Sequence, residues 1–217
     1  MKILKTRKNL NSVISFLLNK ILFPKRCLEC NEPDTYLCQA CFNEIQIYPE
    51  IQKNEYLDKV ISAVEYPVIK NLIKKFKYQY IQELDVFLAQ LIVKALKEID
   101  FPENSIIVPI PLYKKRLRTR GFNQAELLAK EISKYFNLPL ENILERIKST
   151  EPQADIKDDE KRKENMKNAF KIIKPIQEKT IILIDDVLTT GATLTEAARA
   201  LKENQAKEVW ALTVARG

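Results

Sequence analysis

Two adjacent acids, Asp185 and Asp186, carry the clearest chemical signal in the sequence. They follow an unbroken apolar run, residues 181–184, which is rich in β-branched side chains and predicts a strand buried on both faces of a parallel sheet. Carboxylates accept hydrogen bonds, so the pair suits the hydroxyl groups of a sugar. The spacing predicts a sugar-binding edge where this strand ends.

The loop after the acid pair consists of small and hydroxylated residues, which let a ligand approach the backbone and let amides point inward. Its members are Thr189, Thr190, Gly191, Ala192 and Thr193. A helix is predicted next, with Thr193 and Glu196 forming a capping box. Because a helix N-terminus favours a phosphate, the loop and the acid pair together predict a phosphorylated ribose. The alternative is a strand-to-helix turn whose residues only cap the helix.

All four cysteines fall in two CxxC pairs, Cys27 with Cys30 and Cys38 with Cys41. Two such pairs in close succession place four thiolates around one tetrahedral zinc ion. The alternative is two disulfides, but no secretion signal is evident, so we expect a reducing, cytoplasmic location. Four cysteine ligands leave no open coordination position. The sequence therefore predicts a structural zinc ion.

A strongly basic segment follows a second apolar run, residues 106–112, which predicts another strand. We interpret the segment as a loop that leads to a helix beginning near Asn123. It carries Lys114, Lys115, Arg116, Arg118 and Arg120, and it ends at Gly121. Cations before a helix N-terminus suit a pyrophosphate or a nucleic-acid backbone, for which Arg116, Arg120 and Gly121 are the candidate contacts. The alternative is a solvated basic loop.

Composition restricts the chemistry that the chain can perform. The 217 residues carry a formal net charge of +7, which favours polyanionic partners, and they include no histidine. A Ser-His-Asp triad, histidine-ligated zinc and imidazole acid–base catalysis are therefore excluded. Any proton transfer must use carboxylates, lysine, tyrosine or the substrate, and no catalytic residue can be assigned.

The elements that must position these residues form three regions. Residues 1–26 predict an amphipathic helical leader, too short and too interrupted for a transmembrane segment. Residues 27–48 form the four-cysteine zinc knuckle, and a polar link over 49–58 leads to the main domain, residues 58–217. That domain predicts an α/β fold, an open, mostly parallel sheet with helices on both faces. Its site should lie outside the carboxyl ends of the strands.

Residues 182–193, ILIDDVLTTGAT, resemble the phosphoribosyl pyrophosphate (PRPP) motif of type I phosphoribosyltransferases. The paired CxxC sequences, PIPL, RGFNQ and this motif, in that order, resemble the ComF family of competence proteins. Further similarities are Gln153, Arg162, Asn165 and the pair Ala169 and Phe170. Lys148 stands where the family commonly has an arginine, so we do not assign it as a ligand.

The resemblance implies roles for these residues. Asp185 and Asp186 would contact the ribose hydroxyls, and the 189–193 loop would hold the 5′-phosphate. Magnesium would accompany PRPP, bound mainly by pyrophosphate oxygens and water. Residues 150–168 would form a mobile cover over the substrate.

Two functions follow from the resemblance. The first is a PRPP-binding protein of DNA uptake and natural transformation, with single-stranded DNA and other DNA-uptake proteins as partners. The alternative is an active phosphoribosyltransferase of nucleotide metabolism that transfers phosphoribose to a nitrogen nucleophile. The sequence assigns no nucleobase pocket and no amino-terminal cysteine nucleophile, so a complete amidophosphoribosyltransferase is not expected. It does not identify the acceptor or the oligomeric state.

Overall fold

The computed structural model describes residues 24–79, 81–149 and 159–217. Most of the predicted leader, as well as Gln153 and the rest of segment 150–158, lies outside these ranges. The chain divides into two compact units, Met1–Ile45 and Gln46–Gly217. No helix in the described ranges combines the length and apolar character needed to cross a membrane.

In the first unit, residues 24–45 form short turns and one helix, α1 (Gln39–Glu44). Cys38 caps this helix, and its Sγ atom accepts a hydrogen bond from the Cys41 amide. Leu37 and Phe42 are the large buried side chains here. Within residues 24–45, so few apolar residues cannot form a substantial core, and small modules of this kind commonly depend on a metal ion.

The second unit contains a five-stranded sheet and a separate two-stranded sheet. The large sheet has the strand order β1-β2-β7-β6-β3, and β4 pairs with β5. The strands are β1 (Glu50–Gln52), β2 (Lys59–Glu65), β3 (Ser105–Pro109), β4 (Leu144–Arg146), β5 (Phe170–Ile172), β6 (Thr180–Leu188) and β7 (Glu208–Arg216). β1 is antiparallel to β2, and the pairs β2–β7, β7–β6 and β6–β3 are parallel. The predicted α/β, mostly parallel fold is confirmed.

Helices cover both faces of the large sheet. They are α2 (Tyr66–Tyr78), α3 (Leu84–Ala95), α4 (Lys114–Arg120), α5 (Gln124–Phe136), α6 (Asp159–Met166) and α7 (Ala192–Glu203). Helices α3 and α5 pack on each other and against the large sheet, and α7 packs against β7 and β5. In β6, Ile181 and Leu183 share a core cluster with Leu194 of α7, and the alternate residues Ile182 and Ile184 are also buried. The strand is thus buried on both faces, as the apolar run predicted.

Two local predictions differ from the structure. The basic segment expected to be a loop is helix α4, and the segment 49–58 expected to be a link contains β1. The described part of the expected mobile cover includes helix α6, and its role as a cover stays a prediction. Residues of good helix propensity fill the basic segment, and Gly121 ends it in the left-handed conformation typical of a helix C-terminus.

Candidate functional site

A cleft of about 850 Å3 opens at the carboxyl ends of the parallel strands. Asp185, Asp186 and every residue of the 189–193 loop line it. From the basic segment, Arg116 and Arg120 line it as well, whereas Gly121 does not and serves to end α4 at φ +75°. The chain therefore brings the two sequence signals, which lie about sixty residues apart, to one edge of the sheet.

The acid pair lies within strand β6, which continues to Leu188. Asp185 is paired with Thr213 of β7, so its backbone position is fixed by the sheet. The Asp186 amide donates a 2.9 Å hydrogen bond to Oδ1 of Asp185. Asp186 is buried, with 6% of its surface exposed.

Lys77, in the last turn of α2, provides the countercharge. Its Nζ atom lies 2.9 Å from Oδ1 of Asp186. Burial disfavours the charged lysine, but the charge of Asp186 and the hydrogen bond to it raise the pKa of Lys77 above its ordinary value. Burial, together with the neighbouring charge of Asp186, raises the pKa of Asp185 to about 7, although Lys77 opposes this rise.

The 189–193 loop passes directly into helix α7. Gly191 is the residue before the helix and has φ +74°, a conformation that strains any residue with a side chain. A Cβ atom there would lie 3.4 Å from Cδ1 of Leu188. The Oγ1 atom of Thr190 is buried and has no hydrogen-bond partner within the described ranges. The first amides of a helix lack partners inside the helix, so the loop offers a group of donors at the cleft.

The predicted capping box is wrong. Gly191 caps α7 without a side-chain hydrogen bond. The carboxylate of Glu196 instead accepts a 2.7 Å hydrogen bond from the Asn168 amide and forms a salt bridge with Arg199. This carboxylate therefore ties the chain after α6 to helix α7, and Thr193 is left to line the cleft.

Helix α4 forms a cationic wall of the cleft. The guanidinium of Arg120 donates a 2.8 Å hydrogen bond to Oε1 of Gln124 and lies 5.7 Å from the ring centre of Tyr78. The Nε2 atom of Gln124 is buried and, among the described residues, has no hydrogen-bond partner. This wall can bind an anion through guanidinium groups that a neighbouring amide and an aromatic ring hold in place.

Sequence reasoning missed Lys77 and Arg146, which both line the cleft. Arg146 is buried in β4, where it donates a hydrogen bond to the sulfur of Met166 and lies over the ring of Phe170. Burial lowers the pKa of Arg146 to about 10, and the positive charge of Arg116 contributes. Arg146 stands two residues after Leu144, so both side chains fall on the same face of a strand, and this spacing was the available signal.

The four cysteines form one cluster in the first unit. Their Sγ atoms all lie within 4.8 Å of one another, and within the described ranges this is the group of acids and cysteines that could hold a metal ion. All four are free, so the disulfide alternative is not realised. Burial alone would raise the pKa of the Cys27 thiol, but backbone hydrogen bonds lower it to about 6. Hydrogen bonding thus favours the thiolate at Cys27, the form that binds metals, whereas hydrogen bonds with Cys30 and Cys38 raise the pKa of the Cys41 thiol.

Comparison with known proteins finds a sequence family and solved structures that are similar to parts of this chain. The family described as the phosphoribosyl transferase domain matches residues 122–217. Among solved structures, Leishmania donovani UMP synthase is similar with a TM-score of 0.37 and 22% identity, over 66% of this chain and 24% of that one.

Two curated relatives match over most of the chain. The DNA utilization protein YhgH of Escherichia coli strain K12 is 29% identical, over 86% of this chain and 82% of that protein. The competence protein F of Haemophilus influenzae is 33% identical, over 81% of this chain and 83% of that protein. The chain therefore belongs to the ComF family of competence proteins.

Proposed function

We propose that the protein binds PRPP in the cleft and acts through this ligand in the use of DNA during competence. The observation that carries the proposal is the convergence of the acid pair, the 189–193 loop and the basic helix α4 on one cleft. The carboxylates of Asp185 and Asp186 accept hydrogen bonds from the ribose hydroxyls. The loop amides and Thr190 donate to the 5′-phosphate, and Arg116 and Arg120 contact the pyrophosphate.

The charge of the cleft supports a polyanionic ligand. Two carboxylates line it, together with six cationic side chains: Lys74, Lys77, Lys115, Arg116, Arg120 and Arg146. Low-dielectric walls strengthen the attraction of such a set for phosphate groups. Names of relatives that refer to competence and DNA utilization support the role in DNA use.

Calorimetric titration of PRPP with magnesium tests the proposal. The wild type should bind one PRPP per chain, and Asp185→Asn/Asp186→Asn should lose this binding. Glu98→Gln, at an exposed position, is the matched control and should bind like the wild type. A folded wild type that binds no PRPP would overturn the proposal.

An active phosphoribosyltransferase is the second candidate, favoured by the match to the phosphoribosyl transferase domain. Asp185 adds a chemical reason, since a carboxyl with a pKa of about 7 can accept a proton from a nitrogen nucleophile at neutral pH. Pyrophosphate release from PRPP that depends on an added nucleobase or amine would establish turnover. PRPP binding without such release would establish a binding protein.

Single-stranded DNA is the proposed macromolecular partner. Helix α4 is basic along its length, and Leu117 and the nearby ring of Tyr78 are exposed. Cations beside exposed apolar and aromatic groups suit a strand with phosphates and unstacked bases. Backbone-dominated binding should weaken steeply as salt increases. Binding that does not respond to salt would contradict this partner.

The four cysteines are proposed to hold a structural zinc ion, because four thiolates are a donor set that zinc prefers. The closed set leaves no position for a substrate, so the ion would stabilise the first unit. A cytoplasmic location, where thiols stay reduced, is part of this proposal.

A further inference from the structure

The contact between Lys77 and the acid pair is the feature that the proposed function does not use. Lys77 is one of two basic residues in the last turn of α2, and its side chain is 21% exposed. Its Nζ atom lies 2.9 Å from Oδ1 of Asp186, whose side chain is 9% exposed. Lys75 of the same turn instead donates to the side chain of Gln79. Of the two lysines in this turn, Lys77 is therefore the one that forms an ion pair with the acid pair.

The acid pair already has a cation in contact with it. Mg²⁺ binds proteins through one or two carboxylates plus substrate phosphates and water, so Lys77 stands where such an ion would otherwise bind. The pair supplies two carboxylates, and the oxygen of Asp186 that faces the cation already contacts an ammonium group. The acid pair is therefore occupied by a side-chain cation before any ligand binds.

We propose that Lys77 is the resident cation of the acid pair and takes the place of a metal ion, so that the ribose 5-phosphate part of the ligand binds without Mg²⁺. The inference rests on the proposed ribose-phosphate site. Lys77 is a positioning residue in this account, because it acts on the ligand by holding Asp186. It also balances one of the two negative charges that would otherwise repel a phosphorylated ligand.

The chemistry of an ammonium group suits this task. It carries a full charge and has three donors, so it can hold one carboxylate oxygen while the other oxygens of the pair accept hydrogen bonds from the ligand. The short distance and low exposure of the pair make the attraction stronger than that of a surface ion pair. Because the group is covalently attached, the acid pair carries its countercharge at any concentration of divalent ion.

Titration of ribose 5-phosphate in EDTA and in magnesium chloride tests the proposal. The wild type should bind with affinities that agree within about twofold, because no metal ion contributes. Lys77→Met should weaken binding in EDTA by about tenfold or more, the effect of losing one charge-assisted hydrogen bond, and Mg²⁺ should restore part of the loss. Lys70→Met, at an exposed position on the same helix, is the matched control and should behave like the wild type.

Lys77→Arg is a second variant that keeps the positive charge, so it separates the effect of losing that charge from the effect of a folding defect. It should bind ribose 5-phosphate in EDTA better than Lys77→Met does. Wild-type binding that falls about tenfold or more in EDTA would overturn the proposal, as would unchanged binding by Lys77→Met.

A second measurement needs no ribose ligand. Mn²⁺, observed by electron paramagnetic resonance, replaces Mg²⁺ as the probe. Lys77→Met should bind one Mn²⁺ at least about tenfold more tightly than the wild type, and Lys77→Met/Asp186→Asn should lose that gain. Wild-type Mn²⁺ binding that Asp186→Asn removes would overturn the role of Lys77. If ribose 5-phosphate binds under no condition and PRPP does not bind either, the proposed function is overturned, while the Mn²⁺ titration still decides whether Lys77 excludes a metal ion.

Discussion

Replacing Asp185 by asparagine should stabilise the protein at pH 8 while it weakens ribose-phosphate binding. Burial and the neighbouring Asp186 raise the pKa of Asp185 from its ordinary value of 3.8 to about 7. The folded state therefore holds a proton between these pH values that the unfolded state has released. By linkage, the contribution of Asp185 to the free energy of unfolding should fall as pH rises from about 4 to about 7.

The size of the effect follows from the shift. A difference of about three pH units corresponds to at most about 4 kcal/mol, at about 1.4 kcal/mol per unit. Above pH 7 the carboxyl is ionised in both states, so the full cost of burying its charge remains. Asp185→Asn removes that cost because an amide does not ionise, and its oxygen can still accept the hydrogen bond from the Asp186 amide. Near pH 4 the variant and the wild type should be equally stable.

Urea unfolding at pH 4, 5, 6, 7 and 8 measures this difference. Trp210, the single tryptophan of the sequence, is buried in β7, so its fluorescence reports on the sheet unit. Glu98→Gln, which replaces an exposed acid, should follow the wild-type curve. The reasoning is refuted if Asp185→Asn keeps the wild-type dependence on pH or is less stable than the wild type at pH 8.

Three further predictions concern a loop, the cysteine cluster and the core. Gly191→Ala and Gly121→Ala should each lower the free energy of unfolding by about 1 kcal/mol or more, because both positions have positive φ. Only Gly191→Ala should also weaken phosphate binding. Equal phosphate binding by the two variants would contradict the role of the loop. Cys38→Ala should lose the bound zinc, measured as metal per chain by mass spectrometry, and a variant that keeps one zinc per chain would contradict the four-cysteine site. Leu183→Ala, at a fully buried position, should cost about 2–5 kcal/mol in urea unfolding, and a loss below about 1 kcal/mol would contradict its place in the core.

The sequence was informative where local signals agree with one another. The apolar run before Asp185 predicted a strand buried on both faces, and the structure confirms it. The CxxC spacing predicted that four thiols meet, and they do. Both patterns are local: the strand is recognised from a few consecutive apolar residues, and the cysteine site is recognised from the short spacing within and between the two CxxC pairs. The roles of Asp185, Asp186 and the 189–193 loop in binding stay predictions.

The residues that the sequence did not indicate reach the cleft through tertiary structure. Lys77 lies more than one hundred residues before Asp186, and only the packing of α2 beside the sheet brings them together. Arg146 depends on a two-stranded sheet whose partner strand comes twenty-four residues later. The charge of helix α4 was interpreted as a sign of a loop, although Gly121 provided a helix C-cap signal. Glu196 matched the spacing of a capping box, but Arg199 and Asn168 compete for its carboxylate.

Strand β6 continues through the acid pair, and this continuity affects how the site moves. Residues on both sides of the pair remain in register with β7, where Ile184 faces Leu212 and Val187 faces Ala215. The Asp186 amide donates to the Asp185 carboxylate, and the register of β6 with β3 ends at Ile184, so beyond that residue only β7 holds the strand. Amides in the ladder with β7 should exchange with solvent only when the sheet opens. The loop from Thr189 to Gly191 lies outside this ladder. The end of the cleft with the acid pair is thus held by the sheet, and we expect adjustment to different ligands mainly in the loop.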